Sequence, residues 1–223
     1  MRVASLDISG FRNLRPLHLN CALGLNLITG PNASGKTSVL EALYVLGRGR
    51  SFRTRQPRDL IQTGSMTFRV VALMTSNDGL RVPVGIERDA RELTARVGGM
   101  PTRSLVDLAR QTPVLLLNPD THSLLEDGPK QRRRLMDWGL FHTEPDFLDA
   151  WRRYDVALRH RNAALRMNAA DRVVDAWDSE LATAAMLLDR LRETFCEALG
   201  SVLGPLATAT LGKVGIEVDY RRG

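Results

Sequence analysis

Gly30 to Thr37 reads Gly-Pro-Asn-Ala-Ser-Gly-Lys-Thr, and this octapeptide restricts the possible folds more than any other stretch. It fits G-x-x-x-x-G-K-[ST], a loop whose backbone N–H groups cradle phosphates, whose lysine reaches the β- and γ-phosphates and whose hydroxyl ligates Mg²⁺. The match has meaning only between a strand and a helix. The run Leu23, Leu25, Leu27, Ile28, Thr29 predicts the strand. Ser38 to Leu46 repeats apolar residues at three- and four-residue steps and predicts the helix. Gly30 and Gly35 reach φ values closed to other residues, and a helix N-terminus beneath the loop adds partial positive charge. Gly30, Pro31, Asn32, Ala33, Ser34, Gly35, Lys36, Thr37 and Ser38 are therefore the expected nucleoside-triphosphate site, with Thr37 as the expected Mg²⁺ ligand.

A chain of 223 residues holds one large domain or two modest ones. No apolar run approaches the roughly 18 residues of a membrane helix, and Val3 to Ile8 reads as a strand rather than a signal peptide. A cytoplasmic location is expected. Cys21 and Cys196 are too far apart in sequence for metal-ligand spacing and suggest neither a disulfide framework nor a zinc site. The 31 Lys+Arg against 25 Asp+Glu are nearly all arginine, whose forked guanidinium suits phosphate, so a polyanionic partner is plausible.

Val3, Leu6 and Ile8 open one strand, and Leu17, Leu19 and Cys21 alternate with polar residues in a second. Two antiparallel strands feeding a phosphate loop do not begin a plain parallel βαβ fold. After the loop helix come Arg48, Arg50, Arg53, Arg55 and Arg58 with no acid among them, fit to meet nucleotide phosphates, a partner subunit or DNA backbone. Phe52 in their midst points to a packed element. Met66 to Leu73 and Leu80 to Ile86 read as a hairpin turning at Asp78-Gly79, and Leu93 to Val97 as a further strand turning at Gly98-Gly99.

Phe11-Arg12-Asn13, Gly24-Leu25-Asn26, the phosphate loop, Leu40-Glu41-Ala42-Leu43-Tyr44 and above all Gly49-Arg50-Ser51-Phe52-Arg53 resemble the bacterial RecF family of SMC-like, ABC-type ATPases. The likeness runs in order to Asp59-Leu60-Ile61 and resumes more loosely at Gly128-Pro129 and Arg132 to Asp137. Ser38 departs from the family's frequent Asn, and Asn118-Pro119-Asp120-Thr121 is a weak version of a family stretch, so Asp120 receives no role. The resemblance implies an α/β fold: a P-loop ABC/SMC-like ATPase lobe with a mixed sheet, plus an inserted helical lobe with a coiled-coil-like hairpin. It implies ATP and Mg²⁺ as cofactors, and places Arg12 and Asn13 near the nucleotide.

The resemblance also implies ATP-dependent binding of single-stranded, gapped or junction DNA, an ATP-dependent homodimer, and recombination mediator proteins as partners in loading a recombinase. Another ABC-type assembly, or a fragment that only binds nucleotide, remains the alternative. No catalytic residue is assigned. A reading of Val114 to Asp120 as a strand ending in a metal-positioning acid is rejected, since Asn118-Pro119 intervenes before Asp120, and Leu125 to Arg132 lacks the serine of an ABC signature. By resemblance both features lie further downstream, so the chain is read as the N-terminal portion of a longer protein with little hydrolysis of its own.

The expected domains are 1–115, the ATPase lobe; 116–204, the helical lobe; and 205–223, a strand over Val214 to Tyr220 leading onward. Leu148, Trp151, Tyr154 or Asp155, Leu158, Asn162 and Leu165 mark one helix face. Val174, Trp177, Leu181, Ala184, Leu188, Leu191 and Phe195 form a heptad-like seam on a second helix, predicting an antiparallel hairpin. Arg152, Arg153, Arg159 and Arg161 on the first helix are candidate DNA contacts beside Arg50, Arg53 and Arg55.

Overall fold

The computed structural model describes residues 1–122, 128–212 and 215–222, and the chain divides into two compact units, Met1–Asn118 and Pro119–Gly223. Residues 125–127 of the signature-like stretch Leu125 to Arg132, and Val214 of the expected last strand, lie outside the described residues.

The first unit is built on six strands: β1 (Arg2–Ser9), β2 (Leu17–Asn20), β3 (Phe68–Thr75), β4 (Arg81–Arg88), β5 (Leu93–Val97) and β6 (Met100–Thr102). Their order across the sheet is β2-β1-β3-β4-β5-β6 and every ladder is antiparallel. Period-two alternation sets the faces. Leu6 and Ile8 on β1, Phe68, Val70, Ala72 and Met74 on β3, Val84 and Ile86 on β4 and Ala95 on β5 are buried on one side. Register brings them level: Leu6 opposes Ala72, Ala72 opposes Val84 and Ile86 opposes Ala95.

Helix α1 (Lys36–Arg48) closes this face with Val39, Ala42, Val45 and Leu46, and α2 (Leu105–Gln111) adds Leu108. Gly47 lets the chain near Val114 come close, since a Cβ there would stand 2.7 Å from Val114 Cγ2 and 2.8 Å from the Thr112 carbonyl oxygen.

The sheet differs from expectation at two points: its described ladders are all antiparallel where a mixed sheet is expected, and one expected strand is missing among the described residues. Leu23 to Thr29 makes no ladder, and Leu23, Leu25 and Leu27 are exposed. A strand exists through its hydrogen-bonded neighbours, and this stretch has none among the described residues. Asn26 instead closes a local turn, its carboxamide oxygen accepting the Ala22 N–H at 2.8 Å and its NH₂ donating to the Ala22 carbonyl at 3.1 Å.

The second unit contains α3 (Pro129–Thr143), α4 (Phe147–Arg166) and α5 (Asp171–Leu211). Helices α4 and α5 run antiparallel, as the ion pairs Arg153–Glu180 and Arg161–Asp178 show. The α5 seam is the one its spacing predicts, with Ala184 and Leu188 buried and the other five members at least half-buried. The α4 face is rotated by one residue. Ala150, Ala157 and Ala164 face inward, while Trp151 and Leu165 are exposed, because small residues let two helix backbones approach where bulky ones would hold them apart.

Two further differences concern the end of the chain. Helix α5 continues through Gly204-Pro205 to Leu211, with Ala207 buried and the Thr208 and Thr210 hydroxyls donating to carbonyls one turn back. Residues 215–222 form no strand; Tyr220 donates its hydroxyl to Asp189 at 2.7 Å and Arg222 pairs with Asp189 and Glu193. Burial and the Asp189 carboxylate push the Tyr220 phenol up to about 12.

Candidate nucleotide-binding site

The loop between Gly30 and Gly35 holds its shape through three left-handed residues: Gly30 at φ 151, Ala33 at φ 64 and Gly35 at φ 98. Gly35 is required twice over, since a Cβ there would also sit 2.5 Å from Leu14 Cδ2. Ala33 carries strain that glycine would not, and Asn13 offsets it by donating its NH₂ to the Ala33 carbonyl at 3.0 Å. The other end of the same carboxamide accepts the Ser38 hydroxyl at 2.9 Å, which ties loop and helix to one side chain.

No side chain caps the start of α1 and its first turn contains no acid. The opening N–H donors of the helix are therefore available to an anion, the arrangement that phosphate-binding loops use. Residues 30–34 and Thr37 are exposed, and the Lys36 ammonium donates to the Gly30 and Pro31 carbonyls at 2.8 Å each, poised over the loop. These residues fit a nucleotide's phosphates, with Lys36 as the cation and the Thr37 hydroxyl as the candidate metal ligand.

Arg12 and Asn13 take separate roles. Phe11 is fully buried edge-on to Phe68 at 5.1 Å between ring centroids, and Arg12 N–H donates to the Leu60 carbonyl at 2.8 Å. The Arg12 guanidinium turns away from the loop to the Glu41 carboxylate, with Nη2 at 2.7 Å and Nε at 3.0 Å, and Nη1 donates to the Asp59 carbonyl at 2.8 Å. Glu41 is 0% exposed. It also receives the Ser51 hydroxyl at 2.5 Å and Arg53 Nη1 at 3.2 Å. Burial pushes its carboxyl upward, and the Arg12 and Ser51 hydrogen bonds with the Arg12 and Arg53 charges outweigh that push, leaving it below the usual carboxylate value.

Each residue of Gly49-Arg50-Ser51-Phe52-Arg53 thus has a task. Gly49, left-handed at φ 65, ends α1 with its N–H on the Val45 carbonyl; Ser51 and Arg53 hold Glu41; Phe52 meets Tyr44 edge-on at 5.3 Å. Arg50, Arg53 and Arg55 line a cavity of about 480 Å³ at this turn. The helical arginines differ: Arg152 pairs with Asp149, Arg153 with Glu180, Arg159 with Asp155 and Arg161 with Asp178, so each is locally neutralised. His160 stacks on Trp177 with ring centroids 4.5 Å apart.

Glu41 escaped selection from the sequence, although its signal is present. The steps Ser38, Glu41, Ala42, Val45 place an acid on the buried face of α1, and a buried acid requires partners. Arg88, from β4, lines the same cavity as the arginine turn and has no local sequence signal.

A family model described as RecF/RecN/SMC N terminal domain matches residues 2–95. DNA replication and repair protein RecF of Thioalkalivibrio sulfidiphilus (strain HL-EbGR7) is 42% identical over 219 residues, covering 98% of this chain and 61% of that protein. The protein of the same name from Vibrio cholerae serotype O1 is 39% identical over 228 residues, covering 100% of this chain and 63% of its own length. The chain belongs to the RecF family. It spans about three fifths of the length of these RecF relatives.

Among solved structures, that of the recombination mediator protein RecF-ATP in the RecFOR pathway superposes with a TM-score of 0.78 at 23% identity, over 93% of this chain and 57% of that one. The Smc head domain with an extended coiled coil from Pyrococcus furiosus follows at TM-score 0.56 and 15% identity, over 92% of this chain and 64% of that one. Both likenesses establish the RecF and SMC-head ATPase fold. Among the described residues no helix is long and apolar enough to cross a membrane.

Proposed function

We propose that this chain is the nucleotide-binding part of an ATP-dependent DNA-binding protein of recombinational repair and replication restart. The observation that carries the reading is the uncapped start of α1 beneath a loop fixed by Asn13 and Gly35, in a chain of the RecF family. Lys36 holds the β- and γ-phosphates, Thr37 ligates Mg²⁺, and the backbone from Asn32 to Gly35 wraps the β-phosphate. ATP held by these residues would supply the charge for the proposed ATP-dependent pairing of two subunits.

DNA, in single-stranded, gapped or junction form, is met by the turn carrying Arg50, Arg53 and Arg55 rather than by the ion-paired arginines of α4. Exposed ion pairs are weak, so the α4 arginines remain able to exchange partners, but the turn, with its excess of positive charge, attracts phosphate first. Recombination mediator proteins are the proposed protein partners, in the cytoplasm.

Fluorescence anisotropy of labelled gapped DNA, with ATP, with ADP and without nucleotide across a salt series, tests the reading. Binding that falls steeply with salt and strengthens with ATP supports it. Lys36→Ala is expected to lose nucleotide binding and the ATP-dependent gain; undiminished nucleotide affinity in that variant overturns the site.

A further inference from the structure

We infer that the cavity between the arginine turn and strand β4 is a phosphodiester site for the backbone of bound DNA, with Arg88 forming its inner wall. The inference rests on the DNA-binding reading above and adds to it a site assembled from two distant pieces of chain. The cavity, about 480 Å³, is lined on one side by Arg50, Arg53 and Arg55 and on the other by Arg88, over an apolar floor that includes Leu60 and Leu93.

Arg88 makes the case. Its Nε is buried and has no hydrogen-bond partner among the described residues, a donor that a water or an anion in the cavity would satisfy. A buried donor on a permanent cation, facing a cavity lined by three more guanidiniums, calls for an anion with several acceptor oxygens and forked geometry. Arg53 is already paired with Glu41, so the positive charge left uncompensated around the space is that of Arg50, Arg55 and Arg88, and an anion there gains from those three at once.

Of the described acids near these arginines, only Glu41 pairs with one of them, Arg53. Glu41 is taken by Arg12, Arg53 and Ser51, and Asp59 accepts the Thr54 hydroxyl at 2.6 Å. Asp89, though within reach of the Arg88 charge, accepts the N–H groups of Arg91 and Glu92 at 2.7 Å each. Glu87 projects from the opposite face of β4. Among the described residues no carboxylate closes the space.

The chemistry favours backbone phosphate over a base. The polar side chains of the lining are arginines and two hydroxyls, which read charge and shape but not sequence. The cavity also opens beside the C-terminal end of α1, whereas the nucleotide loop is at its N-terminal end. One helix therefore separates a nucleotide-phosphate site from a DNA-phosphate site.

Arg88→Met keeps the aliphatic stem and removes the charge, with Arg103→Gln as an exposed control of equal charge change. Anisotropy of labelled gapped DNA is read from low to high KCl, and affinity for a fluorescent ATP analogue is read in parallel. Arg88→Met is expected to weaken DNA binding about tenfold and to lower the salt slope by about 0.9 for each phosphate no longer neutralised, with nucleotide affinity unchanged. Arg103→Gln is expected to leave the slope near that of the unmutated chain.

Equal affinity and slope in Arg88→Met, an equal loss in Arg103→Gln, or a loss of nucleotide affinity instead of DNA affinity each overturns the site alone. Absence of DNA binding by the unmutated chain overturns the site together with the reading on which it rests.

Discussion

Arg12 holds both oxygens of Glu41, at 2.7 and 3.0 Å, where that carboxylate reaches no solvent at all. The pair joins the turn after β1 to the middle of the phosphate-loop helix, and Arg53 and Ser51 add the arginine turn to the same carboxylate. Three separate stretches of sequence thus depend on one side chain.

Removing that charge leaves the Arg12 guanidinium, 19% exposed, and the more exposed Arg53 guanidinium without their shared counter-ion. Glu41→Gln is expected to destabilise the first unit by about 3–5 kcal/mol, the loss typical of breaking a buried pair by removing one partner. Trp138, Trp151 and Trp177 all belong to the second unit, so their fluorescence does not report the change. Hydrogen exchange of the β1 and β3 amides does, and protection equal to that of the unmutated chain would refute the assignment.

The same residue gives the first unit an acid-sensitive component with a defined sign. In the folded chain the Glu41 carboxyl titrates below its ordinary value, so the unfolded chain binds the proton first as pH falls. The stabilisation is complete above the ordinary carboxylate range and is lost as pH drops through the folded value. Glu41→Gln is expected to show a shallower fall in stability over that window in urea titrations at successive pH values. Parallel slopes for the two chains would show that other carboxylates dominate.

Asn13 is expected to matter for nucleotide affinity more than for stability. Asn13→Ala frees Ala33 from its side-chain support and is expected to weaken a fluorescent ATP analogue by up to about tenfold, the net worth of one hydrogen bond. Ala33→Gly in the same chain is expected to recover part of that loss, because glycine adopts φ 64 without strain. No recovery would mean that Asn13 acts on the nucleotide through Ser38 instead.

Gly139 sets the packing of α3 on α5. A Cβ there would approach the Phe195 ring to 2.2 Å, so Gly139→Ala is expected to cost about 1–3 kcal/mol by overpacking, against a gain of about 1 kcal/mol in helix propensity. In a Phe195→Leu background the crowding is relieved and the propensity gain remains. Urea unfolding of the second unit followed by the fluorescence of its three tryptophans distinguishes the two; a substitution neutral in both backgrounds would show that the ring swings aside freely.

Much of the first unit is legible in the sequence because its signals are local. Short apolar runs locate β1, β3 and β4, period-two alternation locates β2, Gly79 and Gly98-Gly99 mark turns, and the loop from Gly30 to Thr37 announces its own chemistry. What the sequence conceals is partnership. Leu23 to Thr29 has the composition of a strand, yet strand formation depends on neighbours that composition does not name. On α4 the bulky residues suggest a seam that alanines occupy. The positive face of that helix is equally legible as arginine and illegible as ion pairs, because Glu180 and Asp178 approach from another helix. Arg88 lies 33 positions from Arg55, and only the pairing of β4 with its neighbours brings them to one cavity.

The sheet order also governs how the chain assembles. β3, β4, β5 and β6 are joined by short reversals and zip up from adjacent residues, and β1 with β2 forms another such local piece. The ladder of β1 on β3 alone must span the intervening phosphate loop, α1 and arginine turn. Closing so long a loop carries the greatest entropic penalty in the sheet and is expected to come last. The nucleotide loop therefore acquires its working shape only in the final step of folding.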